Sequence, residues 1–138
     1  MNLTNNFTLE EMCATHYKIN NVPTATEIGN LKLLCEKVLQ PIRNKFGCVN
    51  VTSGFRCKEL NIIVGGSSSS QHTKGEAADI KLPNLPVVFE WARKNLDYDQ
   101  LINEYDFSWI HISYKKTGNR KQTLKAIKQN GKTVYIPC

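Results

Sequence analysis

The chain has 138 residues, 41% hydrophobic and 22% charged, with a formal net charge of +6; this composition fits a globular domain with a real core and excludes a disordered or fibrous class. No apolar run approaches the roughly 20 residues of a membrane span. The opening MNLTNNFTLEEM lacks the basic and apolar regions of a secretory signal, so a chain made in the cytoplasm without a signal peptide is expected. Taken in chain order, Thr8-Leu9-Glu10-Glu11 has the form of an N-cap with a glutamate three positions on, and predicts a short helix to about Tyr17. Asn20–Thr26 reads as a loop. Thr24 or Thr26 can cap a second helix, whose apolar residues Ile28, Leu31, Cys35, Val38, Leu39 and Ile42 fall at helical spacing. Pro41 should kink that helix and Gly47 end it. Val49–Thr52 predicts a strand and Cys57–Val64 one or two helical turns. Gly65 to Ser70 predicts a flexible loop. Ala77–Leu82 predicts a second strand, and Asn84 a cap for a third helix through Asn95. Asp99–Tyr105 and Trp109–Tyr114 read as paired strands around a turn at 106–108. Asn130-Gly131 marks a hairpin between Thr123–Gln129 and Lys132–Ile136. Helices come early and strands late, which is an α+β pattern in one domain spanning 1–138.

Charge and cysteine use narrow the function. Up to Asp106 there are 11 basic and 12 acidic residues; from Phe107 on there are 7 basic and none acidic. That end should favour a polyanion, or simply present a solvated basic face. Nucleic acid fits poorly, because the tail lacks interleaved stacking aromatics apart from Tyr135; no specific nucleic-acid partner is expected. The five cysteines are odd in number and form no C-x-x-C pair, which argues against a disulfide framework or a zinc finger.

Three residues carry chemistry: His72, Asp79 and His111. Imidazole and carboxylate are good zinc ligands. His72 leaves the Gly65–Ser70 loop, Asp79 lies in the strand that follows, and alternation in Trp109-Ile110-His111-Ile112-Ser113 sets His111 apart from two isoleucines. Two histidines and one carboxylate leave a fourth zinc position for water, the pattern of a catalytic site. Residue types alone leave the point open, since a strand histidine is often merely packed.

SGFR at Ser53–Arg56, LN at Leu60-Asn61, VGG at Val64–Gly66, SQH-x-x-G-x-AADI at Ser70–Ile80, QLI-x-E at Gln100–Glu104 and WIHISY at Trp109–Tyr114 occur in one order. Together they resemble the zinc D-alanyl-D-alanine carboxypeptidase family, which shares the hedgehog/DD-peptidase fold and includes phage L-alanyl-D-glutamate endolysins. The resemblance runs from about Phe7 to Tyr114. It implies N-terminal helices on a mainly antiparallel sheet: a mainly helical part over 1–48, a metal-site core over 49–114 and the basic hairpin over 115–138. It implies one Zn2+ held by His72, Asp79 and His111. Ser70 matches a serine that helps hold substrate, and Arg56 an arginine that polarises it and steadies the transition state. Trp109, on the His111 face by alternation, is a candidate wall of the cleft or a core residue.

Many members of that family carry a carboxylate three residues before the last zinc histidine, where this chain has Ser108. Glu104 matches the glutamate of QLI-x-E and is the expected general base, with Asp106 second. Cys57 reads as a packing residue and His16 as a cap or surface residue. The resemblance implies hydrolysis of peptidoglycan stem peptides, at D-Ala–D-Ala or L-Ala–D-Glu, with an anionic wall polymer as a further partner for the basic segment. A phage or prophage lysis protein acting on the cell wall is the matching source. The rival reading is a zinc-stabilised wall-binding or virion structural module that has lost catalysis.

Overall fold

The computed structural model describes residues 1–138. Two short strands, Asn2–Thr4 (β1) and Phe7–Thr8 (β2), pair antiparallel. One helical turn follows, Leu9–Met12 (α1), capped by the Thr8 hydroxyl, which accepts the Glu11 N–H. The turn ends well short of Tyr17, correcting the sequence expectation. The Met12 carbonyl accepts the Phe55 N–H at 2.7 Å, and that long-range bond takes the place of another helical one. His16 lies exposed in the bends beyond.

A long helix then runs in three pieces: Ala25–Leu34 (α2), a π-helical stretch Cys35–Leu39, and Gln40–Phe46 (α3). Thr24 opens it with a reciprocal cap: its hydroxyl accepts the Glu27 N–H and the Glu27 carboxylate accepts the Thr24 N–H. The wide π turn lies immediately ahead of Pro41. Proline has no N–H for the Lys37 carbonyl and its ring would strike that group; widening the helix relieves both conflicts. Leu31, Leu34, Cys35, Val38, Leu39 and Ile42 are buried along this helix, in the core that also holds Ala78, Ile80, Ile110 and Ile112 of the sheet.

Six strands form the main sheet. They are Asn50–Ser53 (β3), Ala77–Lys81 (β4), Gln100–Glu104 (β5), Trp109–Ser113 (β6), Gln122–Gln129 (β7) and Lys132–Pro137 (β8), in the spatial order β3-β4-β6-β5-β7-β8. Neighbours are antiparallel except β5 and β7, which run parallel. The C-terminal hairpin is therefore an extension of the main sheet.

Between β3 and β4 lie a short helix, Lys58–Ile63 (α4), and a 3-10 turn, Gln71–Lys74. Helix Leu85–Asn95 (α5) packs on the core, with Trp91 edge-on to Phe46 at 5.6 Å. Asn84 precedes α5 in a left-handed conformation, and its side chain makes no cap hydrogen bond. Its carbonyl instead accepts the Val87 and Val88 N–H groups, so the expected side-chain cap is replaced by a backbone one. Cys57 is half-buried against the core. No helix is long and apolar enough to cross a membrane.

Strand alternation divides the sheet into two chemistries. Ala78, Ile80, Leu101, Ile110 and Ile112 turn toward the helices. The residues between them face the other way, and there the site is built.

Candidate metal centre

Asp79 and His111 are direct cross-strand partners in the β4–β6 ladder, so both side chains stand on the same face. His72 arrives from the 3-10 turn. Ser70 opens that turn, its hydroxyl accepting the His72 N–H at 3.2 Å. Gly75 closes it with φ 73°, and a Cβ there would lie 2.6 Å from the Glu27 carbonyl oxygen. Glycine is required twice over, by the left-handed backbone and by the close approach of α2.

The three ligand-bearing groups converge, with one atom from each within 4.8 Å of the others. His72 Nε2 lies 3.5 Å and His111 Nδ1 3.1 Å from Asp79 Oδ1. Ligands about 2.0–2.1 Å from a tetrahedral zinc are separated by roughly 3.3 Å, so both spacings suit one shared ion. The donor chemistry agrees. His72 Nδ1 is 2.7 Å from the Gly54 carbonyl oxygen, which can only accept, so Nδ1 carries the proton. That leaves an Nε2 lone pair facing a carboxylate, an arrangement a cation would stabilise.

Burial pushes the His72 imidazole toward its neutral, ligating form. Burial works against an ionised Asp79, but the His111 and His72 imidazoles outweigh it and hold the carboxyl well below its ordinary range.

Arg56 stands beside this cluster. Its Nη2 lies 3.6 Å from Asp79 Oδ2. Its Nε donates to Ser53 Oγ at 3.0 Å and its Nη1 to Asn61 Oδ1 at 3.2 Å, while Asn61 Nδ2 donates to the Ser67 carbonyl at 2.8 Å. The guanidinium is thus fixed to β3, α4 and the serine loop at once. Burial lowers its pKa, against the pull of Asp79.

The register extends the site across the sheet. Asp79, His111, Ile102, Leu124 and Pro137 form one cross-strand row; Trp109, Glu104, Ala126 and Tyr135 form the next. Glu104 is buried, only 7% exposed, and shares its face with His111. Burial raises its pKa; His111 lowers it and Asp79 raises it again. Asp106, the second candidate base, is exposed on the turn between β5 and β6 and is not part of the cleft wall. Trp109 lines the cleft, its ring 5.6 Å from that of Tyr105.

A cleft of about 860 Å³ lies over these rows. Arg56, the Gly65–Ser70 loop and His72 bound one side; β7 and β8 bound the other, with Tyr135 and Pro137. The hairpin wall was not foreseeable from the sequence, where nothing signals that β7 pairs with β5. Ser53 and Asn61 do fall within the quoted SGFR and LN motifs, the only sign of their part in holding Arg56.

The basic segment is largely engaged within the chain. Arg120 and Lys115 face the buried Asp99, Lys121 Nζ donates to the Leu96 carbonyl, and Lys128 lies over the Tyr105 ring.

No curated protein matches the chain. A family model does: Peptidase M15, over residues 5–113. That span begins ahead of α1 and ends on the last residue of β6, so it takes in His72, Asp79 and His111 and leaves out the hairpin side of the cleft; the chain belongs to the Peptidase M15 family.

Proposed function

We propose that this chain is a zinc metallopeptidase that hydrolyses an amide bond in peptidoglycan stem peptides. The observation that carries the reading is the convergence of His72, Asp79 and His111 on one point, in a member of a peptidase family. These three residues would hold one Zn2+. When bound, zinc supplies a Lewis acid that polarises water and carbonyl oxygen near neutral pH.

The chain's own groups do the rest. Glu104, a buried carboxylate with a raised pKa on the His111 face, takes a proton from the attacking water and returns it to the leaving amine. Arg56, braced by Ser53 and Asn61, donates to the oxyanion that develops on the substrate carbonyl. Ser70 holds the turn that presents His72 and, with Trp109, borders the substrate. Ser108 is exposed on the turn; the acid missing there is supplied from the neighbouring strand, which favours an enzyme over an inert wall-binding module.

The scissile bond is D-Ala–D-Ala or L-Ala–D-Glu, and the setting is phage- or prophage-driven lysis of the cell wall. Lys116, Lys125 and Lys132 would add attraction for an anionic wall polymer. The test is a digest of purified peptidoglycan with zinc and with a chelator, read by mass spectrometry. Chelator-sensitive stem-peptide fragments are expected, and their masses identify the bond. No fragments from folded, zinc-loaded protein on several wall types would sink the hydrolase reading.

A further inference from the structure

The β7–β8 hairpin lies outside the family-matched residues 5–113, yet it forms a wall of the cleft. Its contribution follows from register. Glu104 pairs with Ala126 and Ala126 with Tyr135, so Glu104 and Tyr135 share one row and one face, two strand spacings apart. That is roughly 10 Å between their backbones, within which both side chains stand over the same cleft. Ala126, the residue between them, is fully buried. The adjacent row offers Ile102 and Leu124, which with Ala126 form a small apolar cluster separate from the main core. Ile102 and Leu124 line the cleft, so its floor beside Glu104 is apolar, with Tyr135 on the far side.

Tyr135 is 52% exposed, and its hydroxyl has no partner within the chain. The phenols of Tyr98 and Tyr105 do have partners, Thr123 and Thr133. A large, rigid side chain left with an unused donor at a cleft wall is placed to meet a ligand. Its surroundings keep it a donor: partial burial, then the Glu104 carboxylate, holds the phenol above its ordinary range. The hairpin itself is firmly set. Arg120, two residues before β7, grips Asp99 with two side-chain bonds, and Tyr105 ties β8 through Thr133.

We propose that Tyr135 is a substrate-binding residue, its phenol donating a hydrogen bond to a carbonyl or carboxylate oxygen of the peptide seated over Ile102 and Leu124. The C-terminal hairpin thereby completes the cleft from the side opposite Arg56. This rests on the peptidase reading for the identity of the ligand, a stem peptide, and not for the geometry.

The experiment uses the full-length zinc-loaded chain and a soluble peptidoglycan stem peptide. Affinity is measured by calorimetry in a Glu104→Ala background, with and without Tyr135→Phe, and kcat and KM are measured in the otherwise wild-type chain with Tyr135→Phe. Loss of one hydrogen bond to substrate predicts about tenfold weaker binding and a similar rise in KM, with zinc content and thermal midpoint unchanged. Tyr135→Ala should weaken binding further by removing the ring.

Affinity unchanged by Tyr135→Phe and Tyr135→Ala in the Glu104→Ala background, with KM unchanged in the otherwise wild-type chain, would overturn the proposal, as would a stem peptide that does not bind the Glu104→Ala chain at all. If the wild type binds the peptide and cleaves nothing, the peptidase reading fails while the affinity difference still reports on Tyr135.

Discussion

The imidazole Nδ1 of His72 lies 2.7 Å from the carbonyl oxygen of Gly54. The bond fixes the tautomer that leaves Nε2 for a metal, and it depends on where the Gly54 backbone sits. That backbone is pressed on Met12: a Cβ added at Gly54 would collide with the Met12 carbonyl oxygen, the same group that accepts the Phe55 N–H. Gly54→Ala must move one strand of chain or the other. It should destabilise the fold by about 1–3 kcal/mol and weaken zinc about 10- to 100-fold by displacing the His72 partner. Chelator competition and thermal melting check both effects. Unchanged zinc affinity would mean that the carbonyl does not orient the ligand.

Glu104, the proposed general base, offers a test that separates catalysis from metal binding. It shares the face of His111 without being one of the three convergent groups. Glu104→Gln keeps the shape and removes the proposed base, so cleavage should fall by roughly 10²- to 10⁴-fold with zinc retained. Asp106→Asn, on the exposed turn, should leave the rate within about twofold of wild type. A rate loss at Asp106 with none at Glu104 would reverse the assignment. Single-turnover cleavage of a labelled stem peptide, alongside zinc content, makes the comparison.

The convergence of His72, Asp79 and His111 was legible in the sequence because the three sit in short ordered motifs, and because alternation alone sets His111 apart from Ile110 and Ile112. The helix over 25–46 and the Asn130-Gly131 hairpin were legible for the same reason: period and turn chemistry are local. What stayed hidden was non-local. The early end of α1 depends on a hydrogen bond from Phe55 to Met12, 43 positions away in the chain. The cleft wall depends on β7 pairing parallel with β5; alternation gives the face of a strand but not its neighbour. Asn84 shows a third limit, since a residue type favoured as a side-chain cap here serves through its backbone in a left-handed turn.

Arg56 and Asn61 should behave as one unit. Asn61 is buried, 4% exposed, accepts from Arg56 Nη1 and donates to the Ser67 carbonyl. A lysine at position 56 carries the charge but has no fork to meet Ser53 and Asn61 together. Arg56→Lys should therefore cost about 10²-fold in kcat, and Asn61→Ala about tenfold through misorientation, both with zinc content intact. In the double variant the losses should fall short of additive, because Asn61 acts through the guanidinium. Full additivity of the two rate losses would separate their roles.

Asp99 offers a pH-dependent test of how the hairpin is held. It is completely buried just ahead of β5. Its carboxylate accepts the Arg120 backbone N–H at 3.0 Å and Nε at 2.9 Å on one oxygen, and Nη2 at 2.6 Å on the other. Burial alone would raise this carboxyl, but the Arg120 hydrogen bonds outweigh it and hold the group at about 2. An unfolded aspartate titrates near 3.9, so the depressed folded value contributes stability that is complete above about pH 4 and disappears as the pH falls through about 2. Asp99→Asn should lower stability by about 1–3 kcal/mol at neutral pH, with the gap to wild type closing between pH 4 and pH 2. Urea midpoints across that range measure the gap, and acid release of zinc, common to both proteins, cancels in the difference. A gap that stays constant on acidification would mean the ionised pair is not what stabilises the start of β7. A loosened hairpin also makes a kinetic signature: KM for stem peptide should rise while zinc content and kcat hold, because Asp99 and Arg120 position the wall that carries Tyr135 and touch none of the groups proposed to carry the reaction.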